Sequence, residues 1–350
     1  MIRTSHYLFA ALCLGSLFAC SRQFTDSYIV PKWCFAVFML FIVLAYEAVN
    51  ILFYRQNEQK DTRISVYGFI IVISCFLQAM FGVVQFFGFF QISTTLWVTG
   101  SFDNPAGFAA CLCAGFPFVG FLLSDSNKYI RYVGGLIGFV IVIAVILSQS
   151  RAGIMSIAFI CFILLNMKFF HKRWVKYLSL LCFALLLSGC YWMKKDSADG
   201  RLLIWRCSVS MVKDAPWLGH GIGSFEARYM DYQADYFRQY GLNRYSMLAD
   251  NVKHPFNEYL GVLLNFGFVG LLMILALITL LIYCYKKHPC AEKRIAFYSL
   301  ISIGVFSFFS YTFTYPFTWI VTFLCIIILT KEYIAKVFTC PITVSYTHLT

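Results

Sequence analysis

Arg151, Arg201, Arg206 and His254 are the side chains of this sequence whose types and positions best suit chemistry on a phosphorylated substrate. A guanidinium presents a planar fork of donors that matches phosphate oxygens two at a time. Histidine is the side chain that most readily takes up a proton near neutral pH. Such arginines suit a phosphate-bearing ligand, and the histidine is a candidate base. Asn104 and Asn257 stand beside the same stretches as polar partners, and His220 lies in the glycine-rich run GHGIG, where shape is the stronger demand. The sequence has neither CxxC nor HExxH, so nothing in it asks for a metal or cofactor.

Each candidate sits where an apolar run begins or ends. SQSRAG places Arg151 between two such runs with almost no loop, and an ionisable group forced to a lipid boundary is a functional candidate. A snorkelling arginine at a helix end would look the same from sequence. Asp103-Asn104-Pro105 reads as a cap followed by proline at the first helical position, and His254-Pro255-Phe256-Asn257 opens a later run in a similar way. Gly200-Arg201 reads as the opening of another helix, capped by Asp199 and ended by Pro216 and Gly219. Helix N-termini carry unpaired N–H groups and the positive end of the dipole, so three of them on one side would favour an anion there.

The elements that hold these residues are membrane helices. The chain has 350 residues, of which 60% are hydrophobic and 13% charged, with 19% aromatic. That is too little polar surface for a water-soluble protein and predicts an all-α polytopic membrane protein. A first apolar stretch lies within 1–20, where Leu17-Phe18-Ala19-Cys20 has the form of a lipoprotein cleavage site, although a short first span is the plainer reading. Nine more follow at about 33–53, 64–90, 105–124, 131–148, 151–170, 175–193, 257–284, 295–315 and 317–330, making about ten transmembrane helices. The expected division is spans one to seven in 1–193, a large loop at 194–256, spans eight to ten in 257–335, and a tail at 336–350. The ending CPITVSYTHLT resembles translated adapter read-through, and the tail is expected to be non-native.

Net charge is +12, but the basic residues sort by loop rather than forming a nucleic-acid patch. With a cytoplasmic N-terminus, the short inner loops and ends hold 16 Lys and Arg, whereas the short outer loops hold three, Arg22, Lys32 and Arg151. This bias places the long loop outside, in the periplasm of a bacterial cell. The loop holds nine of the 28 Lys and Arg and seven of the 16 Asp and Glu, and its pattern is helical. A second loop helix from Phe225 to Tyr240 aligns Phe225, Tyr229, Tyr232, Tyr236 and Tyr240 on one face, expected to pack onto the membrane surface, with Arg228, Asp231, Asp235 and Arg238 free to pair along it. Of the 14 cysteines most fall in apolar runs, where a thiol behaves as a small hydrophobe, and Cys207 in the loop reads as packing.

SFDNPAGFA at 101–109, SQSRAG at 148–153, GRLLIW at 200–205, DAPWLGHGIGSF at 214–225 and HPFNEYLGVLLNFGFVGL at 254–271 together resemble the O-antigen ligase and polymerase family of the bacterial inner membrane. The resemblance covers roughly 64–285 and lies in the ordered set of motifs. It implies a GT-C-like architecture and transfer of a glycan from a polyprenyl-pyrophosphate donor to lipid A–core or a growing glycan, with inversion and without metal or nucleotide. Carried over by position, Arg151 and Arg201 hold the pyrophosphate, His254 acts on the acceptor hydroxyl, and Asn257 stands nearby. One departure is Phe256, which occupies the place immediately before Asn257 where many members have histidine. A repeat-unit polymerase and a protein oligosaccharyltransferase are close alternatives. A polysaccharide transporter or flippase would need ionisable residues near span midpoints, and Glu47 is the only clear carboxylate inside a span before the loop.

Overall fold

The computed structural model describes residues 2–53, 61–89, 98–168, 173–193 and 195–339. Among them all regular structure is helical: α1 (Ile2–Phe18), α2 (Ile29–Phe53), α3 (Asp61–Phe86), α4 (Pro105–Gly115), α5 (Val119–Leu123), α6 (Lys128–Leu147), α7 (Arg151–Lys168), α8 (Arg173–Met193), α9 (Lys195–Asp214), α10 (Ser224–Tyr240), α11 (Glu258–Lys287), α12 (Ala291–Phe309) and α13 (Pro316–Thr339). A helix stands over every apolar segment expected to span, and six described spans are long and apolar enough by themselves to cross a bilayer, with Thr4–Phe18 and Arg151–Met167 shorter. The protein is an all-α polytopic membrane protein. The expected tail beyond 339, and the basic loops at 54–60 and 169–172, lie outside the described residues.

The α4 helix is the axis of the bundle. Gly107, Ala109, Ala110, Cys111, Cys113 and Ala114 are all buried on it, and such small side chains let neighbouring backbones approach closely. A Cβ at Gly153 of α7 would come within 2.9 Å of Ala109. Hydroxyls then bridge the helices: Ser302 and Ser299 of α12 donate to the Cys113 and Ala114 carbonyls, each at 2.7 Å, and Ser156 of α7 donates to the Ser302 carbonyl at 2.8 Å. These bonds matter in lipid, where no water competes for the groups. The expected span at 105–124 is broken by a short 3-10 turn, Phe116–Phe118, because Pro117 cannot continue the α-helical ladder.

Two sets of contacts mark the ends of the bundle. At one end Ser5 donates to Glu47 at 2.6 Å, buried Lys293 meets Glu332 at 3.1 Å, and Lys331 meets Glu292 at 3.1 Å. At the other end Lys32 donates to the Ala19 and Ser101 carbonyls at 2.9 and 2.8 Å, Trp33 to Thr314 at 2.8 Å, and Arg201 to Phe309 at 2.7 Å. Lys32, expected in a short loop, is instead a wholly buried residue in the first turn of α2 that ties two connections together.

The second end carries α9 and α10, which share their own apolar cluster of Leu203, Ile204, Cys207, Met211, Phe225, Tyr229 and Tyr245 with Leu264 of α11. The aromatic stripe of α10 thus packs onto α9 and the chain around Tyr245, not onto the membrane surface; Cys207 is packing, as expected. Along the exposed face only Arg238 pairs as expected, with Asp235 at 2.6 Å, while Arg228 turns to His220. The turn between α9 and α10 is stitched to a kink in α11 at Gly267, where φ is 62° and the helical ladder breaks. His220 and Gly221 N–H donate to the Leu264 and Asn265 carbonyls at 2.7 and 3.1 Å, and Phe268 and Val269 N–H donate to Pro216 and Trp217 at 2.8 and 3.2 Å.

Candidate functional site

Asn104 is the cap its sequence implies. Its Oδ1 accepts the Gly107 N–H at 3.0 Å ahead of Pro105, and also the Tyr315 hydroxyl at 3.2 Å. The Asn104 amide nitrogen donates to Asp103 at 2.9 Å and to the Tyr311 hydroxyl at 3.1 Å. Asn257 caps α11, accepting the Leu260 N–H at 3.0 Å, so the cap of that helix is this asparagine and His254 lies outside it. Beside it Glu258 accepts the Phe313 N–H at 2.8 Å. The link between α12 and α13, residues 310–315, is therefore fastened to both capped helix starts.

Arg151 is the first residue of α7 and donates to Ser197 of α9 at 2.8 Å. Arg201 is not at a helix start: α9 begins at Lys195, six residues earlier than expected, with Asp196 in its first turn. Asp199, read as the cap, is instead buried inside the helix at 7% exposure, so the N-terminal dipole argument does not apply to Arg201. What the helix does is carry Arg201 over the end of α12, where it donates to the Phe309 carbonyl and lies 5.0 Å over the Phe256 ring. Burial, with Arg151 as the second cause and Tyr311 opposing, pulls the Arg201 pKa down to about 10. Arg151 bonds Ser197, four residues before Arg201 on α9, so both guanidiniums lie at this end of the bundle.

His254 stacks on Tyr311, ring centroids 4.6 Å apart and planes 22° from parallel. Burial lowers its pKa from the ordinary 6.5, with Glu226 opposing and Lys253 reinforcing, so the imidazole is held neutral and able to accept a proton. Phe256 presents its edge to the same tyrosine at 5.3 Å. Tyr311 therefore touches His254, Phe256 and Asn104, and through Phe256 it reaches Arg201. Sequence reasoning did not single it out. Its signal was available in SYTFTYP at 310–316, polar tyrosines before a proline in a stretch otherwise read as two nearly continuous spans.

Gln149 and Phe256 are the two non-glycine residues with positive φ among those described, at 52° and 53°. Each precedes a helix start that carries a candidate, Arg151 in one case and Asn257 in the other. Left-handed backbone in a bulky residue costs about 1–2 kcal/mol and persists where its surroundings demand it.

His220 and Arg206 are not brought to this cluster. The His220 Nδ1 accepts from Arg228 at 3.0 Å, which leaves Nε2 to donate to the Met211 carbonyl at 2.7 Å, so this ring locks the α9–α10 turn. Arg206 is exposed and lies 5.2 Å over the Tyr245 ring, with Tyr236 at 3.4 Å.

Below Arg201, an apolar groove of about 480 Å³ runs between α7, α8, α11 and α12, lined by Met155, Phe159, Phe183, Tyr259, Val305 and Phe309 among others. A pair of cationic forks, an imidazole and an apolar groove meet at one end of the bundle. Residues 136–275 match the family model described as O-antigen ligase. This stretch is similar to the O-antigen ligase family. The matched stretch takes in Arg151, Arg201, Arg206, His220, His254 and Asn257, while Asn104 and Tyr311 lie outside it. No curated protein matches the chain. The match and the apolar helices together support a membrane protein with a glycosyltransferase-like activity of the O-antigen ligase or polymerase type.

Proposed function

We propose that the protein transfers a glycan from a polyprenyl-pyrophosphate carrier to a hydroxyl of lipid A–core, at the periplasmic face. The observation that carries this reading is that Arg151 bonds Ser197, four residues before Arg201 on α9, while Arg201 bonds Phe309 in the wall of an apolar groove. Two neighbouring guanidiniums repel until an anion lies between them, and a pyrophosphate supplies that charge with oxygens spaced for both forks. The groove supplies a matching apolar place for the prenyl chain.

In the step itself, negative charge builds on the leaving pyrophosphate as the anomeric C–O bond breaks, and Arg151 and Arg201 stabilise it. His254, neutral through burial, takes the proton of the acceptor hydroxyl as that oxygen bonds to the anomeric carbon. Attack opposite the leaving group inverts the centre. Asn104 and Asn257 act through the backbone, fixing the helix starts that carry the site. The excess of Lys and Arg in the loops of the opposite end supports a periplasmic site.

The test is transfer in vitro by purified protein supplied with a polyprenyl-pyrophosphate-linked glycan. Arg151→Ala, Arg201→Ala and His254→Ala should each insert normally and lose turnover; wild-type turnover in all three would remove the site. A deletion strain separates the acceptors. Free lipid A–core with polymer left on the carrier indicates ligation, single-repeat glycans indicate polymerisation, and unchanged glycans would reject both.

A further inference from the structure

We propose that Tyr311 is a positioning residue for His254: its ring is the platform that sets the imidazole, and Asn104 sets the ring. The inference rests on His254 being the base of the proposed transfer. Four contacts converge on this tyrosine from three separate parts of the chain. The imidazole lies nearly parallel to its ring at 4.6 Å. The edge of Phe256 closes one side at 5.3 Å, and Tyr315 lies at 6.2 Å on another. The Asn104 amide donates to the hydroxyl at 3.1 Å, and that amide is itself oriented because its oxygen accepts from both Gly107 and Tyr315.

The need for such a platform follows from the backbone. His254 sits in an irregular stretch between the 3-10 turn Ser246–Leu248 and the start of α11, so no helix fixes its χ angles. Phe256, two residues on, is in the left-handed region, which aims the chain so that both its own ring and that of His254 meet Tyr311. The α12–α13 link that bears Tyr311 is the more rigid partner. Thr318 donates to the Thr312 carbonyl at 2.7 Å, Ser307 donates to Thr312 at 2.9 Å, Trp33 bonds Thr314, and Glu258 holds the Phe313 N–H. Offset and parallel ring contacts of this kind add directional preference to burial. A general base must lie within hydrogen-bond reach of one proton, so a ring that wanders by an ångström loses rate without losing donor affinity.

Tyr311→Phe and Tyr311→Leu are to be compared with wild type and His254→Ala, using the full chain in detergent and a polyprenyl-pyrophosphate-linked glycan extracted from host membranes as donor. The Leu variant is expected to lower kcat on the order of 10²-fold with donor KM within about twofold, whereas Phe, which keeps the ring and loses only the Asn104 bond, shows a much smaller loss. In labelled-histidine NMR, the His254 ring resonances, assigned by their loss in His254→Ala, should show an upfield ring-current displacement in wild type and Phe and lose it in Leu. Thermal unfolding checks each variant; if Leu does not fold, Tyr311→Met, closer in volume and still without a ring, takes its place. The proposal is overturned if the ring-less variant keeps kcat and the His254 displacement, or if Phe is as impaired as Leu. The base reading fails separately: His254→Ala at full turnover sinks it, while the NMR comparison still decides whether Tyr311 holds the ring.

Discussion

Arg201 and His254 owe their chemistry to burial, which acts on them in opposite ways. Burial disfavours the charged form of each, but an arginine whose pKa falls to about 10 remains cationic at neutral pH. A histidine lowered from 6.5 gives up its proton at a lower pH than usual. Since only neutral imidazole accepts a proton, the transfer rate should rise as pH increases through a value below 6.5 and be level above it. A pH–rate profile of the purified enzyme checks this, and a rising limb centred above pH 7 would count against His254 as base. Phe256→Gly offers a second test at this scale. It relieves about 1 kcal/mol of left-handed strain, yet it removes the ring under Arg201, so the protein should fold and the donor KM should rise.

At the scale of elements, the candidate residues are placed by caps and by one kinked helix. Asn104→Ala removes the α4 cap, worth about 1 kcal/mol, and also the partner of the Tyr311 and Tyr315 hydroxyls. Its unfolding temperature in detergent should fall and its activity should fall further than stability alone explains. The kink of α11 is more demanding. A Cβ at Gly267 would run into the Trp217 carbonyl in a backbone already at φ 62°, so Gly267→Ala should cost roughly 2–5 kcal/mol. Gly135→Ala in α6, where a Cβ meets nothing within 4 Å, is the matched control and should change little in the same melting experiment.

These elements also show what the sequence made legible. Spans were legible because a bilayer fixes the length of an apolar helix, and Asn104 and Asn257 were legible because capping is local. The start of α9 was missed because Asp196 and Asp199 are both plausible near a helix start, and only tertiary packing decides that Asp199 goes inside. The α10 face was assigned to the membrane because periodicity reveals that a face is apolar and not what covers it. Tyr311 was missed for a related reason: His254, Phe256 and Asn104 lie more than 50 residues away from it along the chain, and no local pattern carries that pairing.

For the whole molecule, α4 and its hydroxyl-bridged neighbours form a bundle whose connections sort to two ends, and the long loop joins the end that bears Arg151, Arg201 and His254. The proposed orientation puts that end in the periplasm. Cys20 is exposed at the site end and Cys290 at the opposite end. In spheroplasts, a membrane-impermeant maleimide should label Cys20 readily and Cys290 only after lysis; the reverse pattern would turn the protein over.

Binding of the carrier tests the central claim most directly. Purified wild-type protein should bind polyprenyl pyrophosphate more tightly than polyprenyl monophosphate, because two guanidiniums meet two phosphates. Arg151→Ala and Arg201→Ala should each erase that difference while retaining the weaker affinity that the groove gives to the prenyl chain. Equal binding of both lipids by wild type, or an undiminished preference in both variants, would contradict a diphosphate held between Arg151 and Arg201.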